Sequence, residues 1–293
     1  MQTSFGRTIK RSKQGLLNGH LFTDKDFPPK AITPFCPVKK TKKVNVIMRK
    51  ATIATSLVFL VSILTLPSFG EDTKEISEKE YKNPDHFEKA MQQFETADQE
   101  QPPPQGAIVG IGSSSMRGWH STIKTDLAPL TIIPRGFGGS NMNEALHYAD
   151  RIVLPYKPRA ILLYEGDNDI AQDITPKKIT DTFRAFIAKV HKDLPNCRIY
   201  FLSIKPSISR WKMWPKMQEA NNLIAAECAK DKRLTYVDVA SGMLDDEGKP
   251  LKNIFKEDNL HMTRPGYVIW ENAVRPILIE AELQFEQQDE DNK

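Results

Sequence analysis

Four polar runs in this chain hold residue types that can do chemistry together, and the first three directly follow apolar, β-rich runs. Gly112-Ser113-Ser114-Ser115 stands behind AIVGI (107–111). A serine in a turn from strand to helix can hold its hydroxyl toward solvent with helix-start N–H groups beside it, as a nucleophile requires. The same turn is also the ordinary place for a serine N-cap. Arg135-Gly136-Phe137-Gly138-Gly139-Ser140 is a glycine cluster whose backbone can aim an N–H at a developing oxyanion, or can simply make a tight turn. Glu165-Gly166-Asp167-Asn168-Asp169 offers the Asn168 amide as a further donor, or an Asx turn that caps a helix. Asp258-Asn259-Leu260-His261 comes last. A carboxylate three positions before a histidine can hold its ring N–H, fix the tautomer and leave the other nitrogen free as a base. Each run alone has a bland reading, and a surface Asp-His pair is often inert; their conjunction is what a Ser-His-Asp acyl-transfer site requires.

The elements that would position these runs are legible from periodicity. TIIP (131–134), AILLY (160–164), RIYFLSI (198–204) and LTYVDV (234–239) join AIVGI as short β-rich runs. Between them lie amphipathic helical stretches, one using Met142, Ala145, Leu146, Ala149, Ile152 and Val153, and another Ile179, Phe183, Phe186, Ile187, Val190 and Leu194. A helix is also expected over about 215–230. This alternation predicts an α/β fold with a five-stranded parallel sheet covered on both faces, a three-layer sandwich. In such sheets ligands bind beyond the carboxyl ends of the strands, where the strand order reverses. Ahead of this body, Phe87, Met91 and Phe94 recur at helical spacing before Gln101-Pro102-Pro103-Pro104, so residues 71–105 read as a charged lead-in with one short helix. The domain is expected over 106–284, with a kink at Pro276 in its last helix and a mobile acidic tail over 285–293.

The four runs resemble, in order, those of the SGNH (GDSL-type) esterase and acylhydrolase superfamily, over roughly residues 106–283. Gly112-Ser113-Ser114 stands where that family has Gly-Asp-Ser, with Ser113 in place of the usual aspartate. The resemblance implies a flavodoxin-like fold with Ser114 as nucleophile and Asp258 and His261 as the acid-base pair. It also implies an oxyanion hole from the N–H groups of Ser114 and Gly139 and the side-chain amide of Asn168. The secreted bacterial branch of the family shares the helix and proline run that precede the domain here. No metal or other cofactor is needed for such chemistry, and no cluster of His, Cys or carboxylates at metal-ligand spacing competes with it.

The loop KPSISRWKMW (205–214) follows the fourth strand at the same sheet edge. With Arg117 and Trp119, its Lys205 and Trp211 could line a pocket for a polar acylated substrate such as a sugar; equally, Trp211 and Trp214 could pack the next helix. The implied partner is a small-molecule or carbohydrate ester. The alternatives kept open are a lysophospholipase or thioesterase, peptide-bond cleavage, and a non-catalytic binding module on the same fold.

The net charge of +4 is misleading. Residues 1–70 hold 12 of the 41 Lys/Arg and 2 of the 37 Asp/Glu, leaving 29 basic against 35 acidic residues beyond. A body of that sign, without a basic stripe interleaved with aromatics, argues against nucleic-acid binding. Met48-Arg49-Lys50 precedes an uncharged apolar stretch over 51–70, the pattern of a signal peptide cleaved near Gly70 and hence of a secreted or periplasmic protein. Left uncleaved, the same stretch is long enough for a membrane anchor. Residues 1–47, lysine-rich and without apolar periodicity, read as an unfolded extension, or as lying before the true start at Met48. Cys197 and Cys228 remain after cleavage; export would permit a bridge, whereas the apolar spacing of Cys228 reads as a buried thiol.

Overall fold

The computed structural model describes residues 78–290. The expected extension and signal segment (1–47 and 48–70) lie outside the described residues. A 3-10 turn over Pro84–Phe87 leads into α1 (Glu88–Glu100), and then come β1 (Ile108–Gly112), α2 (Ser114–Trp119), α3 (Ile123–Asp126), β2 (Ile132–Gly136) and α4 (Met142–Ile152). β3 (Ala160–Tyr164), α5 (Asp167–Ala171), α6 (Pro176–Asp193), β4 (Arg198–Leu202), α7 (Trp214–Cys228), β5 (Leu234–Val237) and α8 (Arg264–Glu290) complete the order.

All strands are parallel, in the order β2-β1-β3-β4-β5. The chain leaves β1 to one side for β2 and returns on the other side for β3, so the order reverses at the β1/β3 pair. Gly112 at the end of β1 sits in register with Gly136 of β2 and Tyr164 of β3. Ser114, Gly139 and Asn168 therefore start from three neighbouring strand ends.

The period-two alternation of the strands divides the core in two. Val109, Ile111, Ile133, Ile161, Leu163, Ile199 and Phe201 face α4, α6 and α7, with Met91 of α1 in the same layer. Ile108, Ile132, Leu162, Tyr164, Tyr200, Leu202 and Val237 face α2, α3 and α8. Because both faces are covered, β1 and β3 are buried at every position and read as unbroken apolar runs. The helices start where the sequence signals it. Asn141 and Glu144 form a reciprocal capping box at α4, and Thr175 caps α6 with Pro176 in the first turn. Cys197 and Cys228 are both free and buried, and burial pushes each thiol up to about 12.

One expectation at the C-terminus changes. α8 continues through Pro276, and the residues after Leu283 are not a loose tail up to Glu286. Arg198 stacks its guanidinium 4.3 Å from the centre of the Phe285 ring, and Glu286 accepts from the Thr131 N–H and hydroxyl and pairs with Arg159. Among the described residues no helix is long and apolar enough to cross a membrane.

Candidate active site

Ser114 is the first residue of α2, directly beyond the end of β1. Gly112 makes the sharp exit possible. A Cβ there would come within 2.2 Å of the Tyr164 carbonyl oxygen, so the backbones of β1 and the β3 end approach more closely than a side chain allows. Of the serines in this run, Ser113 and Ser115 are buried, whereas Ser114 is partly exposed and its Oγ lies 3.0 Å from His261 Nε2.

His261 and Asp258 share a tight turn in which the Lys256 N–H donates to the His261 carbonyl, the Asn259 N–H donates to the Lys256 carbonyl, and Asn259 takes a positive φ. The turn brings Asp258 Oδ2 to 2.6 Å from His261 Nδ1, while Oδ1 accepts the backbone N–H groups of Leu260 and His261 at 2.9 Å each. The imidazole bond first, then these N–H bonds, hold the Asp258 carboxyl well below the usual range. An ionised Asp258 places the ring proton on Nδ1. Nε2 is left as an acceptor for the Ser114 hydroxyl proton, the arrangement that can activate an oxygen nucleophile.

The glycine loop after β2 carries Gly139 at φ +93°, exposed, with Ser140 behind it donating to Glu165 Oε1 at 2.6 Å. Asn168 donates one amide hydrogen to the Ser140 carbonyl at 2.8 Å, tying the ends of β2 and β3 together. Its second amide hydrogen remains unspent. Among the described residues the N–H groups of Ser114 and Gly139 also have no acceptor, so three donors are available at this edge of the sheet.

Arg117 lies at a small cavity of about 200 Å³ with Ser114 and His261. Three other expected substrate contacts are corrected. Trp119 is fully buried, donates its indole N–H to Asp126 at 2.7 Å and packs on Trp270 and Tyr267, because α2 turns this side inward against α8. Lys205, only 1% exposed, donates to the Leu260 carbonyl at 3.1 Å and lies 3.5 Å from the Asp167 carboxylate; it supports the histidine turn from beneath. Trp211 stacks on Trp214 with ring centres 6.0 Å apart and packs the start of α7 rather than the cavity beside Ser114.

Residues the sequence did not single out complete the site. Arg210 donates to Asn168 Oδ1 and lies 3.3 Å from Asp167, and the Ser209 N–H donates to the Asn259 carbonyl. Lys256 lines the cavity. Lys256 had one signal, its place two residues before Asp258; Arg210 had none beyond its charge in a loop at the right edge.

An α/β fold with a linked serine, histidine and aspartate at its switch point defines an ester-bond hydrolase when set beside known proteins. The sequence profile of the GDSL-like Lipase/Acylhydrolase family matches residues 105–269, and the chain belongs to that family. Solved structures share its fold. A candidate platelet activating factor from Streptococcus pneumonia is similar at 22% identity and TM-score 0.58, over 65% of this chain and 92% of that one. A candidate acylhydrolase from Bacteroides fragilis is similar at 20% identity and TM-score 0.57, over 68% and 99% respectively. A GDSL-like lipase from Bacteroides thetaiotaomicron is similar at 20% identity and TM-score 0.55, over 65% and 98%. No curated protein matches the chain.

Proposed function

We propose that the protein is an exported serine esterase that removes short acyl groups such as acetate, with acylated carbohydrate as the substrate class, through an acyl-enzyme. The observation that carries this reading is the unbroken chain from Asp258 through His261 to Ser114, at 2.6 and 3.0 Å. His261 Nε2 takes the Ser114 proton as Oγ bonds to the ester carbonyl carbon. The resulting oxyanion is held by the N–H groups of Ser114 and Gly139 and the free amide hydrogen of Asn168, and one such donor is worth roughly 10²–10³ in turnover. His261 then gives its proton to the departing alcohol as the carbon–oxygen bond breaks. Water, deprotonated by His261 in turn, attacks the acyl-enzyme, and the acid leaves with Ser114 restored. Asp258 stabilises the imidazolium in both halves. The small cavity beside Ser114, which carries two cations, favours small or polar substrates over bulky apolar ones. Export rests on the apolar segment over 51–70 behind Arg49-Lys50.

The test is hydrolysis of p-nitrophenyl acetate, butyrate and a long-chain ester by the wild type and Ser114→Ala. Burst release of nitrophenol that disappears in the variant, with acetate preferred, is the expected result. Equal rates for both proteins would remove Ser114 as nucleophile, and a folded but inactive wild type would point to a binding module. Amino-terminal sequencing of the exported protein, with a new terminus near residue 71, tests the signal.

A further inference from the structure

The cavity beside Ser114 is lined by Ser114, Arg117, Gly118, Lys256, His261 and Tyr267; neither Gly139 nor Asn168 borders it. Of the three oxyanion donors, only the Ser114 N–H belongs to a residue that borders it. His261 borders it, and His261 is the group that hands a proton to the departing alcohol. The alcohol half of the ester belongs in this cavity. At about 200 Å³ it is smaller than a typical drug-sized site and suits a group no larger than a single ring.

Its charge is one-sided. Among the described residues neither Arg117 nor Lys256 forms an ion pair or a side-chain hydrogen bond, whereas Arg135, Arg198 and Arg264 each hold a carboxylate. No carboxylate lines the cavity, and the nearest one in sequence to His261, Asp258, is engaged by the ring and by two backbone N–H groups. Both cations are anchored through their backbones. The Arg117 N–H donates to the Ser113 carbonyl at 3.0 Å, and the Lys256 N–H donates to the His261 carbonyl at 2.8 Å. The Arg117 guanidinium also lies over Gly138, where even a Cβ would come within 3.2 Å of Nη1, so the absence of a side chain there leaves it room. Its field reaches inward: His120 is pushed down to about 4 by burial first and by Arg135 and Arg117 next, and it accepts the Gly136 N–H as a neutral ring. Two unpaired cations lining one cavity with a nucleophile are an electrostatic trap for an anion.

We propose that the preferred substrates are esters whose alcohol half carries a fixed negative charge, a carboxylate within one ring's span of the acylated oxygen, bound by Arg117 and Lys256. The proposal rests on Ser114 and His261 acting as nucleophile and base. An acylated acidic sugar has this chemistry, and so does an acylated hydroxyacid.

The experiment compares kcat/KM for 4-acetoxybenzoate and for its neutral methyl ester, using the full chain, Arg117→Ala, Lys256→Ala and Arg117→Lys. The expected result is a wild-type preference for the anion that weakens with added salt, and an anion-to-neutral ratio that falls about tenfold in each alanine variant. Arg117→Lys should recover part of it. A ratio unchanged in both alanine variants, or rates on the two esters falling by equal factors, would overturn the proposal while leaving the esterase reading intact. A folded wild type that hydrolyses neither ester would overturn both.

Discussion

Arg210 and Asn168 are joined by a hydrogen bond in which the guanidinium Nη2 donates to the amide Oδ1 at 2.9 Å, across 42 residues of sequence. With Oδ1 held by Arg210 and one amide hydrogen spent on the Ser140 carbonyl, the other hydrogen has a fixed direction. A cation on the amide oxygen also polarises that remaining N–H. Arg210 is thus a positioning residue for Asn168, and it is set in turn by the buried carboxylate of Asp167.

Arg210→Ala is expected to lower kcat about tenfold with little change in KM, less than the ~10²–10³ of a complete donor loss. Combined with Asn168→Ala it should add almost nothing, because both changes remove the same contribution. A double-mutant cycle on p-nitrophenyl acetate reads this directly, and additive losses would show that Arg210 acts elsewhere.

The pair of Asp167 and Lys205 makes a stability prediction. Lys205 is buried, and burial outweighs the attraction of Asp167 to hold its ammonium below the usual lysine range. Asp167→Asn removes the charge that compensates it and should cost about 3–5 kcal/mol in urea unfolding. Adding Lys205→Met should recover part of that loss, since no unpaired ammonium then remains.

Gly112→Ala tests the turn into Ser114. The new methyl would meet the Tyr164 carbonyl, a backbone atom that cannot move without shifting β3. A loss of about 3 kcal/mol or more is expected, visible as a lower Tm, together with weaker activity because Ser114 moves with the turn.

Stability should also fall as pH rises through neutrality. Burial pushes Glu144 up to about 7 and Asp169 up to about 6, and it pushes Glu165 well above the usual carboxylate range. In the unfolded chain Glu144 loses its proton near the ordinary value of 4.5, whereas the native protein keeps it to about 7. Between those values the native state binds more protons, so its advantage is complete below about pH 4.5 and is lost as pH rises through 7. Thermal melts at pH 5 and pH 7.5 should show the higher Tm at pH 5. Glu144→Gln should reduce the difference, because its amide oxygen still accepts the Asn141 N–H while position 144 no longer titrates.

The sequence alone determined the five strands, the covering helices and the order of the four polar runs, because those signals are local. A period of two or 3.6 residues, a capping box and an Asp three positions before a His are written in neighbouring residues. The family resemblance singled out Ser114, His261, Asp258, Gly139 and Asn168 on the same local motifs. Tertiary structure alone decided which long side chains reach the cavity. Trp119 and Lys205 lie at the right edge of the sheet in sequence, yet each is turned away by a partner remote from it, Trp270 and the Leu260 carbonyl, whereas Trp211 is held by its near neighbour Trp214. Arg210 enters the site for the same reason in reverse, and Phe285 is partly covered by Arg198. A side chain several bonds long commits to whichever neighbour offers burial or a counter-charge. That neighbour is supplied by the packing of distant elements, which no local pattern encodes.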